Sequence, residues 1–165
     1  PALHTISPSL IRVEADEGTY NLHIIARFEI ERKIVAGDVT VGELPDLWND
    51  TYDELLGIRP ESVADGILQD IHWAMGAIGY FPTYTIGNLA AAQLFEAAND
   101  AIPDLPGHIA NGEFTPLLEW LRTNVHRHGR RYSAAELVER ATGSPLSSAP
   151  FLNYLRTATN EVYDI

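Results

Sequence analysis

The chain has 165 residues, enough to bury a core of its own, and its 45% hydrophobic and 21% charged residues are a globular composition. A net charge of −12 repels nucleic acid and anionic lipid and excludes both as principal partners. The absence of cysteine excludes a disulfide scaffold, thiolate metal sites and a cysteine nucleophile, and fits a reducing, cytoplasmic setting.

No leader or membrane span is expected. Pro1-Ala-Leu-His-Thr5 has neither the basic start nor the apolar stretch of a secretory signal. The only methionine is Met75, so the beginning of the chain reads as processed or excised. The longest uncharged run, Trp73 to Phe95, is long enough to cross a bilayer. Gly76, Gly79, Pro82, Gly87, Asn88 and Gln93 interrupt it, which favours a buried or site-lining segment.

Taken in chain order, the signals are almost all helical. Ser7-Pro8 reads as a cap and first-turn proline opening a helix that runs to about Val35, with Gly18 as a weak point and Gly37-Asp38 as the stop. Leu10, Val13, Leu22, Ile25, Phe28 and Ile34 keep a roughly helical spacing along it. A second helix is predicted over 45–56, ended by Gly57, and a third over 62–77. Pro82 opens a segment reaching about Ala101, with Gly87 as an interruption, and Pro103 and Pro106 punctuate the following turn. Thr115-Pro116 caps a helix to about His128, stopped by Gly129. Ser133-Ala-Ala-Glu136 is a capping box for a helix ending at Gly143, and Ser148 or Pro150 begins a terminal helix. Strand alternation, internal repeats and low-complexity tracts are absent from the sequence. The fold class is therefore all-α, a helical array over residues 1–165 as a single unit.

The chemistry-bearing motifs are few. The sequence has no HExxH pair, phosphate-binding glycine loop or GxSxG. His126 and His128 point about 200° apart on a helix and share no face, so a complete metal site from this chain alone is not expected. Two constellations stand out. In Ile11-Arg12-Val13-Glu14-Ala15-Asp16, Arg12 and Asp16 are four apart and meet on a helix. They form either a surface ion pair or an arginine held by Asp16 so that its planar fork meets a substrate carboxylate. In Gly66-Ile-Leu-Gln69-Asp70-Ile-His72-Trp73, an amide, a carboxylate, an imidazole and an indole crowd into about one and a half helical turns. That group is either a satisfied polar bridge between helices or a functional site. The turn Gly79-Tyr80-Phe81-Pro82-Thr83-Tyr84 sets aromatic rings beside it, and His126-Arg127-His128-Gly129-Arg130-Arg131 is a basic helix end in an acidic chain.

Ile-Arg-x-x-Ala-Asp at 11–16 and Gly-x-x-Gln-Asp-x-His-Trp at 66–73 resemble two signature motifs of the carboxypeptidase Taq family, which are metal-dependent carboxypeptidases. The surroundings are similar too: His4-Thr5 through Tyr20-Asn21-Leu22-His23, Gly79 to Tyr84, Gly87-Asn88-Leu89, Glu119-Trp120-Leu121-Arg122, Val125 to Gly129 and Ala141-Thr142-Gly143. The resemblance covers essentially the whole chain.

It implies the carboxyl-terminal portion of a larger helical, zincin-like metallopeptidase. In the family, zinc or cobalt is held by an HExxH helix and a further Glu from a His-Glu-Ser/Gly-Gln motif, and neither motif occurs in these 165 residues. The resemblance therefore implies a metal in the parent enzyme, none bound to this chain, and no activity for the chain in isolation. It implies that Arg12, oriented by Asp16, receives the free carboxylate of a peptide C-terminus. His72 is the candidate donor to the scissile carbonyl, with Tyr80 or Tyr84 as helpers. Asp70 either fixes the His72 tautomer or supports a metal ligand, and Gln69 and Trp73 shape the groove. The implied partners are the missing amino-terminal part and, in a homodimer, a second copy. The alternative is a free-standing, non-catalytic helical domain that binds peptide ends or a partner subunit.

Overall fold

The computed structural model describes residues 5–163; His4, part of the first motif's surroundings, lies outside them. The described residues are helical and irregular, with no strand among them. They fall into two compact units, one formed by the chain up to Thr85 together with the segment from Ala158, the other by Ile86–Thr157.

In the first unit, α1 (Tyr20–Ala36) and α2 (Leu44–Leu56) pack on each other. Ala26 and Ile30 on α1 meet Trp48, Tyr52 and Leu56 on α2, each set spaced by four residues so that it forms one row along its helix. Trp48 and Tyr52 stack with ring centroids 4.8 Å apart. Gly37 and Gly57 end the two helices in left-handed conformations, as expected from the sequence.

One predicted helix is shortened at its start and another is absent. Residues 7–19 are not the first turns of α1. They hold only a short 3₁₀ turn, Arg12–Glu14, flanked by extended Ile11 and Ala15. The cause is Asp16, whose carboxylate accepts from Ser7 N at 2.9 Å, Thr19 N at 2.9 Å and Thr19 Oγ1 at 3.0 Å and so stabilises a turn in place of a helix. The segment 62–79 is a chain of turns, not a helix. Gly76 and Gly79 have φ of 74° and 78°, outside the right-handed helical region, and the Gln69 side chain bonds to the chain around Leu10.

The second unit contains α3 (Pro82–Ala101) from Ile86 onward, α4 (Leu105–Ala110), α5 (Thr115–Asn124), α6 (Ala134–Thr142) and α7 (Ala149–Tyr163) up to Thr157. α3 runs through Gly87 without a break. The expected turn after Pro103 contains the short α4, which has Pro106 in its first turn. α5 stops at Asn124, and one 3₁₀ turn, His126–His128, carries the chain to Gly129. The capping box is present: Glu136 Oε2 accepts from Ser133 N at 2.9 Å, and Ser133 Oγ accepts from Glu136 N at 3.3 Å. Buried Gln93 pins the bend after α6, donating to Thr142 Oγ1 and to the Ser144 and Pro145 carbonyls and accepting from Ser147 N.

Candidate functional site

The site lies in the first unit and begins with a second row on α1. His23, Arg27 and Glu31, four apart, are all buried beside the apolar row of Ala26 and Ile30. A buried guanidinium needs a charged partner and saturated donors. Arg27 donates to the His23 carbonyl at 2.8 Å, Tyr52 Oη at 2.9 Å and Gln69 Oε1 at 2.8 Å, and pairs with Asp70 Oδ2 at 2.6 Å. Its guanidinium carbon lies 4.8 Å from the centroid of the Trp48 ring.

Asp70 is shared between two arginines. Its other oxygen, Oδ1, accepts from Arg12 Nε at 3.1 Å and Nη2 at 2.8 Å. Burial alone pushes the Asp70 carboxyl up, but the bonds from Arg12 and the charge of Arg27 outweigh it and hold the group below its ordinary value. The trio of Arg12, Arg27 and Asp70 thus carries one uncompensated positive charge, inside a chain that is strongly acidic overall.

Arg12 is 7% exposed. Beyond its bonds to Asp70 it donates from Nη1 to Tyr20 Oη at 3.2 Å, and it faces the Tyr84 ring with 5.1 Å to the centroid. Burial works against its charge, yet Asp70 and Tyr20 hold its pKa above the ordinary arginine value. A guanidinium has five N–H groups. The Arg12 bonds to Asp70 and Tyr20 use three, which leaves one on each terminal nitrogen.

Gln69 ties the Arg12 segment to Arg27. Its Oε1 accepts from Arg12 N at 3.0 Å and from Arg27, while its Nε2 donates to the Leu10 and Asp65 carbonyls at 3.0 and 2.9 Å. This fixes the amide orientation, since flipping it would set N–H groups against N–H groups.

His72 sits among aromatic rings, 4.4 Å from Phe81, 5.8 Å from Tyr80 and 5.9 Å from Tyr84. Its Nε2 is 3.0 Å from Tyr84 Oη. Its Nδ1 is buried without a hydrogen-bond partner and lies 3.6 Å from Asp70 Oδ1, beyond hydrogen-bonding range. Trp73 donates its indole N–H to Glu31 Oε1 at 2.7 Å, which also accepts from Gly79 N at 3.2 Å.

A polar chain continues from Arg27 into the core. Arg27 only donates, so Tyr52 Oη accepts from it and gives its own proton to His23 Nδ1, 3.1 Å away. The His23 proton is therefore on Nε2, which is buried and unpartnered. Burial, then the charges of Arg27 and Arg12, lower the His23 pKa from 6.5 to about 4.

The structure thus brings Arg12, Gln69, Asp70, His72, Tyr80, Trp73 and Tyr84 into one neighbourhood. Two expected pairings are corrected. Asp16 does not orient Arg12, because its oxygens are taken by Ser7 and Thr19 and no helix joins the two residues; the carboxylate on Arg12 is Asp70. Asp70 does not hold the His72 tautomer by a hydrogen bond, because its Oδ1, turned toward Arg12, stays 3.6 Å from His72 Nδ1. Sequence reasoning missed Arg27, Tyr52 and Glu31. The available signal was the spacing of His23, Arg27 and Glu31 by four, a polar row beside an apolar one.

The donor set does not fit a zinc or cobalt ion: Asp70 is committed to the two arginines, and the described residues contain no group of three His, Cys, Asp or Glu placed to hold a metal. No described helix is long and apolar enough to cross a membrane.

The comparisons with known proteins agree on one family. Residues 1–159 match the model of the carboxypeptidase Taq (M32) metallopeptidases. The chain is 47% identical over 162 residues to thermostable carboxypeptidase 1 of Thermus thermophilus, and 44% identical over 162 residues to carboxypeptidase 1 of Bacillus subtilis. Each alignment covers 98% of this chain and 32% of the relative. The crystal structure of the M32 carboxypeptidase from Deinococcus radiodurans R1 superposes with a TM-score of 0.96 at 50% identity, over 99% of this chain and 33% of that one. Metallocarboxypeptidase 1 of Trypanosoma cruzi gives 0.91 at 33% identity, over 95% of this chain and 33% of that one. The chain spans about a third of the length of these relatives, and it belongs to the carboxypeptidase Taq (M32) metallopeptidase family.

Proposed function

We propose that this chain supplies the substrate-recognising part of a cytoplasmic, metal-dependent carboxypeptidase, in which Arg12 receives the free carboxylate of a peptide C-terminus. The observation that carries the reading is the surplus positive charge of the Arg12–Asp70–Arg27 trio. It is joined to an Arg12 fork with one uncommitted N–H on each terminal nitrogen, a number and plane suited to a carboxylate. His72 then serves as donor toward the carbonyl of the last peptide bond from Nε2, which exchanges the Tyr84 hydroxyl for the substrate because Nδ1 is buried, with Tyr84 and Tyr80 beside it. Trp73 and Gln69 shape the approach. Zinc or cobalt in the parent enzyme is held by residues outside these 165, so the chain alone binds no catalytic metal and turns over no peptide.

Segment 63–80 supports the incomplete character of the site. It leaves Val63, Leu68, Ile71, Met75, Ile78 and Tyr80 exposed at 49% or more, an apolar surface of the kind another part of a longer polypeptide, or a second copy in a homodimer, covers.

The test is titration of the chain with a short peptide bearing a free C-terminus and with the same peptide amidated. The acid should bind about tenfold or more tightly, as for loss of a hydrogen-bonded charge pair. Equal binding of acid and amide removes Arg12 from the carboxylate role. In the parent enzyme, Arg12→Lys should lower kcat/KM, since an ammonium lacks the planar fork.

A further inference from the structure

We propose that Arg27, a residue in neither signature motif, is the positioning residue for Arg12. It fixes Asp70 and Gln69, and these two set the side chain and the main chain of Arg12. The inference rests on the reading of Arg12 as the carboxylate receptor. Arg12 is poorly held by its own segment: one 3₁₀ turn with no side-chain cap. Its orientation comes from outside, through Gln69 Oε1 on its backbone N–H and Asp70 Oδ1 on its guanidinium. Both belong to a segment of turns, which also lacks a helical scaffold. Arg27 bonds to both of them, on Asp70 Oδ2 and Gln69 Oε1.

Arg27 itself is anchored in the middle of the 17-residue α1, fully buried, stacked on Trp48 and bonded to Tyr52 and to the carbonyl one turn back. Rigidity therefore passes from α1 to Arg27, to the pair of acceptors, and to Arg12. Because Arg27 is fully buried, it touches no substrate and acts only through Arg12.

The test uses the full chain, labelled with nitrogen-15, and the Arg12 Nε–H signal, identified by its loss in Arg12→Lys. In the wild type this proton is bound to Asp70 and should exchange slowly. Arg27→Met should shift the signal and speed its exchange. Arg27→Lys, which keeps the charge and can satisfy Asp70 or Gln69 but not both, should rescue it in part and carries the test if the methionine variant does not fold. Unchanged exchange of the Arg12 signal in a folded Arg27 variant overturns the proposal.

Peptide binding separates this from the reading it rests on. Arg27→Lys should reduce the preference for acid over amide peptide several-fold in the wild-type background and not at all beside Arg12→Lys. A shifted Arg12 signal in a protein with no acid preference would leave Arg27 as the positioning residue and overturn the carboxylate role.

Discussion

Arg12 and Asp70 lie 58 residues apart in sequence, and their side chains meet at 2.8 Å. Arg27 reaches the opposite oxygen of the same carboxylate, so one negative charge separates two buried positive ones. The stability of this part of the fold and the geometry of the candidate site rest on the same group.

Asp70→Asn should be strongly destabilising. It leaves two guanidinium groups in a desolvated space without a counter-charge, and breaking such a buried arrangement costs about 3–5 kcal/mol. Urea unfolding followed by circular dichroism measures it. A cost below about 1 kcal/mol would show that solvent already screens the trio. The pH response follows from the lowered Asp70 pKa: its contribution is complete above the ordinary value of 3.8 and is lost as pH falls through the lower folded value.

His23 governs a separate pH window. Its pKa is about 4 in the fold against 6.5 for a free imidazole, because burial and the charges of Arg27 and Arg12 oppose protonation. The unfolded chain therefore takes up a proton that the folded chain refuses. Stability contributed by neutral His23 is complete above pH 6.5 and falls between about 6.5 and 4, by up to about 3 kcal/mol in total. His23→Gln should remove this slope while keeping the loss at lower pH that belongs to Asp70. Equal slopes in the two proteins between pH 4 and 6.5 would contradict the assignment.

Asp16→Ala and Arg12→Lys should separate structure from recognition. Asp16 holds the turn before α1 through Ser7 and Thr19, so its removal should cost about 1–2 kcal/mol of stability, as for a lost capping side chain. It should leave the preference for acid over amide peptide intact, whereas Arg12→Lys should abolish that preference in the variant that still folds, at a stability cost of its own from the lost fork on Asp70 and Tyr20. The reverse pattern would restore Asp16 as the orienting carboxylate.

Glu31→Ala should loosen the segment that carries His72. It strips the acceptor from the Trp73 indole and the Gly79 N–H, at about 1–3 kcal/mol for part-buried hydrogen bonds to a charged group. Trp73 emission should move to the red as water reaches the ring, and the shift should vanish in a Trp73→Phe background. An unchanged spectrum would place the anchorage elsewhere.

The apolar side chains of segment 63–80 should drive self-association when the chain is studied alone. Light scattering should show mass rising with concentration, and Leu68→Glu with Met75→Glu should suppress it. A concentration-independent monomer would mean that the surface is tolerated in water.

The legible and the illegible elements divide along physical lines. α2, α3, α6 and α7 begin and end near where Pro45, Pro82, the Ser133–Glu136 box, Pro150, Gly57 and Gly143 place them, because caps and breakers act within one turn of chain. The segments 7–19 and 62–79 failed to follow their apparent helical spacing. There, side chains of Asp16 and Gln69 satisfy backbone groups that a helix would have used itself, and Gln69 does so across the fold.

By itself the sequence determined the all-α class, the two motifs and the family they resemble, and with them the identity of Arg12, Gln69, Asp70 and His72 as the residues to watch. Only the tertiary structure decided who holds whom. Local spacing offered Asp16 to Arg12, but a buried guanidinium takes the carboxylate that the packing of distant segments delivers, and that is Asp70. The same reason hid Arg27: its place in α1 looks like an ordinary polar position until α2 and the 62–79 segment close over it and leave Asp70, Gln69 and Tyr52 as its side-chain partners.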